Sequence, residues 1–287
     1  MAKTGLLESK PELMAEFGFS GSYVFTESEM FAALLQASEE VLAKDGIARS
    51  DVGYIMFYSG LPAGTPSKKV IKQFEYPAWH LAHELGIPNA QTFGLSQQGC
   101  SGFLTMIDLA VRLVKDSGKN ALCVSADRLP TGSKREVIYN VMSDATSAVL
   151  IGDKPKYRII SHYQKQQPYY WDTSAHIDEI LAAYFPMAQR AIQEALGEAG
   201  LKPDDIAWVV PHNVSLRSWQ ILSQLVDVPL ERIWTANIAK SGHTVSSDHI
   251  INLTDMEKAQ VIKAGDRLLL FTFGFGATWS VMILERL

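Results

Sequence analysis

The chain is poor in cysteine. Its 287 residues carry two, Cys100 and Cys123, too few for a disulfide framework. Free thiols fit a reducing compartment, so a cytoplasmic location is expected. Long apolar runs are also missing. No stretch reaches the roughly 18 apolar residues that a spanning helix needs, so no membrane association is expected. The opening "MAKTGLLESKPELMAEFGF" has no basic region followed by an apolar core and does not read as a secretory signal. Positive charge is in deficit, with a formal net charge of −5, which excludes a general nucleic-acid binder. There is no CxxC, HExxH or GxxxxGK[ST], and the seven histidines are scattered, so neither a metal site nor a phosphate loop is expected. No Pro-, Gly- or Ser-rich linker divides the chain. What remains is 47% hydrophobic and 20% charged, enough for one large domain or two fused halves around a sizeable core.

A repeat organises it. "EVLAKDGIARSDVGYIMFYSG" from Glu40 and "EALGEAGLKPDDIAWVVPHNV" from Glu194 align Gly46 with Gly200, Asp51 with Asp205 and Val52 with Ile206. Each reads as an amphipathic helix, a glycine that ends it, a short turn and an apolar strand. "DATSAVLI" from Asp144 and "GATWSVMIL" from Gly276 form a second pair, both reading as buried strands. Between these landmarks the N-terminal half has a strand "NAQTFGL" and a turn "SQQGCSG". A helix follows with Phe103, Ile107, Ala110, Val111 and Val114 on one face, then Gly118 as a C-cap and a strand "NALCVSA". The C-terminal half has a strand "RIWTAN", a turn "AKSGHTVSSD", a helix through Ile250, Leu253 and Met256, and a strand "DRLLLFTF". Two α/β halves with mixed, largely buried sheets are expected, with residues 1–153 and 154–287 as the units. Sites in such sheets form where strand ends meet helix N-termini.

Three side chains stand at such ends. Cys123 lies inside a strand and reads as a packed thiol. Cys100 follows a glycine on a turn and opens a helix, whose free N–H groups and dipole favour a thiolate. On sequence it reads either as packing or as a nucleophile whose base must come from elsewhere. His212 follows the strand "AWVVPH", and His243 sits in the turn equivalent to that of Cys100; capping and turn roles suit them equally. His249, on the following helix, reads as structural, as do His80 and His83 on one helical face. His162 and His176 carry no pattern.

Four blocks resemble a family. "GCSGF" around Cys100 resembles the nucleophile elbow ACxGF of the thiolase-fold condensing enzymes. "VVPHNVSLR" (209–217), "SGHTVSSD" (241–248) and "LLFTFGFGATWS" (269–280) resemble the VPHQANxR, HGNTSAAS and FGGGxTWG blocks of β-ketoacyl-[acyl-carrier-protein] synthase III. The resemblance spans about residues 25 to 287 and implies a layered αβαβα core of two pseudo-symmetric halves. It implies that Cys100 accepts an acyl group from a thioester, that His212 is the family's active-site histidine, and that the backbone N–H groups of Cys100 and Phe275 form the oxyanion hole. Arg217 and Ser215 match positions that bind pantetheine or the carrier protein. His243 stands where synthase III has asparagine, giving a Cys-His-His set.

The reaction implied is decarboxylative condensation with a malonyl thioester. One alternative is transfer of the acyl group from carrier protein or CoA to a specialised-metabolite acceptor, with one imidazole as base; another is a non-catalytic partner subunit. No cofactor is implied beyond the acyl-CoA or acyl-carrier thioester substrate. A homodimer is expected, with "NAQTFGL" as the pairing edge. The strand with which the family begins has no match in the twenty or so residues before the aligned region, nor do the tryptophan and arginine that hold CoA adenine, which turns the expectation toward a carrier-protein donor.

Overall fold

The computed structural model describes residues 5–44, 46–61 and 75–287. Helix α1 (Pro11–Glu16) and an extended run lead to α2 (Glu27–Lys44). A capping box starts α2: Thr26 N–H donates to the Glu29 carboxylate (2.7 Å) and Glu29 N–H donates back to Thr26 Oγ1 (3.3 Å). Then come β1 (Val52–Tyr58), α3 (Pro77–Glu84), β2 (Gln91–Leu95), α4 (Gly102–Ser117) and β3 (Asn120–Asp127). A two-stranded ribbon, β4 (Glu136–Val137) with β5 (Asn140–Val141), precedes β6 (Ala145–Ile151). The second half runs β7 (Tyr157–Gln166), α5 (Ile177–Glu198), β8 (Trp208–Pro211), α6 (Leu216–Leu225), α7 (Ala236–Ser241), α8 (Asp248–Lys258), β9 (Arg267–Gly274) and β10 (Thr278–Arg286).

The repeat is visible atom by atom. Gly46 and Gly200 follow the helices with φ +62° and +66°, a left-handed conformation that glycine adopts without steric cost. Ile47 N–H bonds to the Leu42 carbonyl, and Leu201 N–H to that of Leu196, at 3.1 and 2.9 Å. A single 3₁₀ turn follows each, Arg49–Asp51 and Pro203–Asp205, before β1 and β8.

Two four-stranded mixed sheets result, in the orders β2-β1-β3-β6 and β7-β10-β9-β8. In each, a parallel pair (β1–β3, β8–β9) meets an antiparallel partner (β3–β6, β9–β10); the pair is central in the first sheet and includes the edge strand β8 in the second. Helices α2 and α3 cover the outer face of the first sheet through Leu34, Leu42, Leu81 and Leu85. Helix α4 and Met256 of α8 lie in the layer between the sheets, with Tyr58, Leu268, Leu270 and Met282. Helices α5 and α6 close the far side around Ile192, Trp219, Phe271 and Trp279. This is the αβαβα layering that the resemblance implied, driven by burial of one apolar face on every helix.

Three details depart from expectation. "RIWTAN" is not a strand: Ile233 makes an isolated bridge to Val209, and the chain then coils into α7. Asn237 of α7 anchors on Asn252 (2.9 Å), and Gly242, at φ +61°, ends the helix. Val111 lies at the margin of α4, 36% exposed, while Leu104 and Met106 take the buried arc instead. The N-terminal residues do not pack only with their own half. Met14 and Phe19 belong to the core of the second, and Phe17 O accepts from Leu216 N–H at 2.9 Å.

Candidate active site

The site lies where the ends of β2, β8, β9 and β10 converge. After β2 the chain turns sharply, with Gln97 at φ +78° and Gly99 at +51°, through one 3₁₀ turn (Gly99–Ser101) into α4. Cys100 is partly exposed at this elbow. Glycines surround it because nothing larger fits. A Cβ on Gly102 would stand 2.3 Å from Tyr58 Oη, and one on Gly274 would stand 2.1 Å from the Gln98 carbonyl. The same packing brings together the two backbone segments that carry the N–H groups expected to form an oxyanion pair. A Cβ on Gly99 would be 2.8 Å from Phe275 N, and one on Gly274 would be 3.1 Å from Cys100 N, so the two backbone segments lie against each other. A polar brace from the other half steadies the turn. Gln164 on β7 donates to Thr105 Oγ1 (2.9 Å) and to Gln98 Oε1 (3.2 Å), and Thr105 donates to Gln98 Oε1 (2.7 Å).

His243 faces Cys100, its Nε2 lying 3.2 Å from Sγ. Its backbone is zipped to the first half. His243 N–H donates to Val141 O, and Ser143 N–H donates to His243 O, both at 2.8 Å. Behind the ring stands a residue to which the sequence reading gave no role. Asp248, at the first position of α8, accepts His243 Nδ1–H on Oδ2 at 2.5 Å. The same oxygen accepts Asn213 N–H (2.7 Å), and Oδ1 accepts Thr244 N–H and Oγ1–H at 2.7 and 2.6 Å. Burial alone would raise the Asp248 carboxyl; His243 first, and then the Thr244 donors, overcome it and hold it down at about 2. Burial likewise works against charge on His243, but the Asp248 carboxylate and then Cys100 hold it well above the ordinary imidazole value. Cys100, His243 and Asp248 thus stand in a line, the order that a nucleophile, a base and a group orienting the base would take.

His212 stands apart from this line. Its ring meets that of His243 edge-on at 5.8 Å, walled by Trp219 and Phe271. It makes no hydrogen bond to the thiol. Its Nε2 lies 3.0 Å from Tyr184 Oη of α5, while Nδ1 is buried without a partner. Burial, with the nearby His243 charge, pushes its pKa well below the ordinary value, so the ring is neutral.

The expected pantetheine residues divide. Arg217 is exposed on the first turn of α6, its guanidinium 3.4 Å from Gln220 Oε1. Ser215 is 4% exposed and caps α6, its Oγ accepting Ser218 N–H at 3.2 Å. Its hydroxyl is thus engaged in capping the helix. Cys123 is fully buried, its thiol pushed up by desolvation. His249 Nε2 donates to the Phe271 carbonyl at 3.1 Å, a structural role. His80 and His83 lie on α3. Among the described residues no cluster of His, Cys, Asp and Glu could hold a metal ion, and no helix is long and apolar enough to cross a membrane. On its apolar side Cys100 packs against a small cluster of Leu129, Met142 and Val245, which Leu61 and Val137 also flank.

Residues 196–286 match the family model described as 3-oxoacyl-[acyl-carrier-protein (ACP)] synthase III C terminal. The chain is 25% identical over 270 residues to the β-ketoacyl-[acyl-carrier-protein] synthase III of Aquifex aeolicus (strain VF5), covering 87% of this chain and 82% of that one. The crystal structure of the Aquifex aeolicus VF5 synthase superposes with a TM-score of 0.83 at 22% identity, covering 98% of this chain and 92% of the other. A structure named as the ChlB3 acyltransferase superposes at 0.87 with 19% identity, covering 100% and 92%. With the repeat, the layering and the elbow already described, these likenesses show a thiolase-like fold in a chain similar along most of its length to β-ketoacyl-[acyl-carrier-protein] synthase III, with residues 196–286 matching the model of that family's C-terminal part.

Proposed function

We propose that the chain is an acyltransferase that carries its acyl group on Cys100, within the reaction class of β-ketoacyl-[acyl-carrier-protein] synthase III. One observation carries the reading: His243 Nε2 lies 3.2 Å from the sulfur, with Asp248 2.5 Å behind Nδ1. The Cys100 sulfur attacks the donor thioester carbonyl, and the N–H groups of Cys100 and Phe275 hold the oxyanion. The donor thiol leaves with a proton from His243, and a Cys100 thioester remains. In the condensing version a malonyl thioester loses carbon dioxide and its α-carbon attacks the acyl carbon; Cys100 leaves as thiolate. A second version has a specific observation in its favour. With Asp248 behind it, His243 is built to take a proton from a hydroxyl, amine or thiol acceptor, which then attacks the acyl carbon directly. An intact triad has no use in a non-catalytic partner subunit and weighs against that reading.

On this reading the donor is an acyl-carrier protein or CoA thioester, with Arg217 as an exposed cation for its phosphate. The β2 edge, where Phe93 is 39% exposed, pairs with a second copy in a homodimer. The free thiols support a cytoplasmic setting. Residues 1–153 supply the nucleophile and residues 154–287 the two histidines. The test is to incubate the protein with acyl-CoA and acyl-carrier thioesters and weigh the intact chain. An acyl adduct that vanishes in Cys100→Ala is expected; no adduct with any donor refutes the reading. Carbon dioxide release from malonyl donors separates the two versions.

A further inference from the structure

Tyr184 is a residue of α5 with no counterpart among the motifs, yet it touches the active-site histidine. Its ring packs edge-on against Phe273 and Phe185 at 5.4 and 5.0 Å, and its backbone carbonyl accepts Trp279 Nε1–H at 3.3 Å. So placed, its hydroxyl lies 3.0 Å from His212 Nε2. The other ring nitrogen of His212 is buried and unpartnered, so among the described residues Tyr184 is the ring's one hydrogen-bonding contact. A neutral imidazole has a single N–H. If that proton is on Nε2, it is donated to Tyr184 Oη. If it is on Nδ1, Nε2 accepts the Tyr184 O–H and has no proton to offer. In both tautomers Nε2 is engaged.

Decarboxylation makes a different demand from direct transfer. When a malonyl thioester loses carbon dioxide, the C–C electron pair moves onto the α-carbon and the thioester oxygen, and that enolate oxygen needs hydrogen-bond donors. Direct transfer needs one base near the sulfur, and His243 with Asp248 supplies it. We propose that Tyr184 is a specificity-determining residue: by engaging His212 Nε2 it withholds that donor from the enolate, and so sets the site for direct acyl transfer over decarboxylative condensation. This rests on the acyl-Cys100 reading.

Tyr184→Phe tests it, because the ring and its packing stay and only the hydroxyl goes. The full chain is given butyryl-CoA, with adduct formation at Cys100 followed by mass, and separately carboxyl-labelled malonyl-CoA, with carbon dioxide release counted. The ratio of decarboxylation to acylation is expected to rise about 10- to 100-fold in the variant, somewhat less than the roughly 10²–10³ that one oxyanion donor is worth. A residue that only packs would lower both rates together and leave the ratio flat. Ring-¹⁵N spectra of the histidines give a reading independent of turnover: the His212 signals move in Tyr184→Phe and those of His243 stay. Acylation with an unchanged or lower ratio overturns the role of Tyr184 alone. Absence of any Cys100 adduct in the wild type overturns the acyl-enzyme reading and this inference with it.

Discussion

Replacing Asp248 with asparagine probes the triad most directly. The carboxylate receives four donors, His243 Nδ1–H and Asn213 N–H on one oxygen and Thr244 N–H and Oγ1–H on the other. An amide has only one oxygen, so its NH₂ must confront donors on whichever side it falls. If it faces His243, Nδ1 becomes the acceptor and the ring proton sits on Nε2, leaving no lone pair to take a proton beside the sulfur. The loss of a charge-assisted bond, about 1.5–3 kcal/mol, corresponds to a rate loss of roughly 10- to 150-fold at 1.36 kcal/mol per decade. Inverting the tautomer sets the ceiling at about 10⁴, the loss known for the equivalent change in a serine-protease triad. The pH profile moves too. His243 is held above its ordinary value by Asp248 first among the raising causes, so transfer to an acceptor, which needs the neutral ring, rises with pH through that elevated value. Without the carboxylate the burial of the ring prevails, and this limb shifts to lower pH. Single-turnover acylation of Cys100, and its discharge to a thiol acceptor across pH 5–9, measure both effects. A folded Asp248→Asn protein with rates within threefold of wild type and an unmoved limb would refute the triad.

Other perturbations follow from the same contacts. Gly274→Ala places a methyl 2.1 Å from the Gln98 carbonyl and 3.1 Å from Cys100 N; the elbow must shift, and acylation is expected to fall at least about 100-fold, the worth of one oxyanion donor, with a native circular-dichroism spectrum. Acylation at wild-type rate would show that the elbow tolerates displacement. His249 is held down at about 4 by desolvation, so the unfolded chain binds its proton first as pH falls. Its contribution to stability is complete above pH 6.5 and is lost between 6.5 and about 4, roughly 3 kcal/mol in all. His249→Gln, whose amide still reaches the Phe271 carbonyl, is expected to flatten the pH dependence of urea unfolding over that range; an equally steep wild type and variant would refute the assignment.

Most of the fold was legible because burial writes a period into the sequence and the chain writes it twice. The paired glycines, 3₁₀ turns and strands at a constant offset needed only local signals. Cys100 and His212 were legible as candidates because each follows a strand, and His243 because its turn matches that of Cys100 in the repeat. Asp248 was hidden by its place: an acidic residue in the first turn of a helix reads as a partner for the helix dipole, and its bond to His243 depends on how tightly "GHTVSS" closes. Tyr184 and the Gln98–Thr105–Gln164 brace carried no signal, since each contact joins side chains of ordinary helix or strand positions from distant parts of the chain. Ser215 carried an ambiguous signal for the converse reason. A hydroxyl just before a helix serves equally as ligand contact or cap, and the geometry of α6 made it a cap. "RIWTAN" misled because its first residues do extend, for one bridge only.

The backbone zipper between Val141–Ser143 and His243 has a further consequence. Cys100 comes from one half of the chain and His243 from the other, and His243 is stitched to the half of Cys100 by main-chain hydrogen bonds. Neither half can therefore hold a competent site alone, and no hinge between them can open without unmaking the triad. Reactivity at Cys100 therefore requires the long-range contacts of this seam to be closed. Thereafter it persists as long as the seam does, so a thiol probe of Cys100 reports on the integrity of the whole molecule.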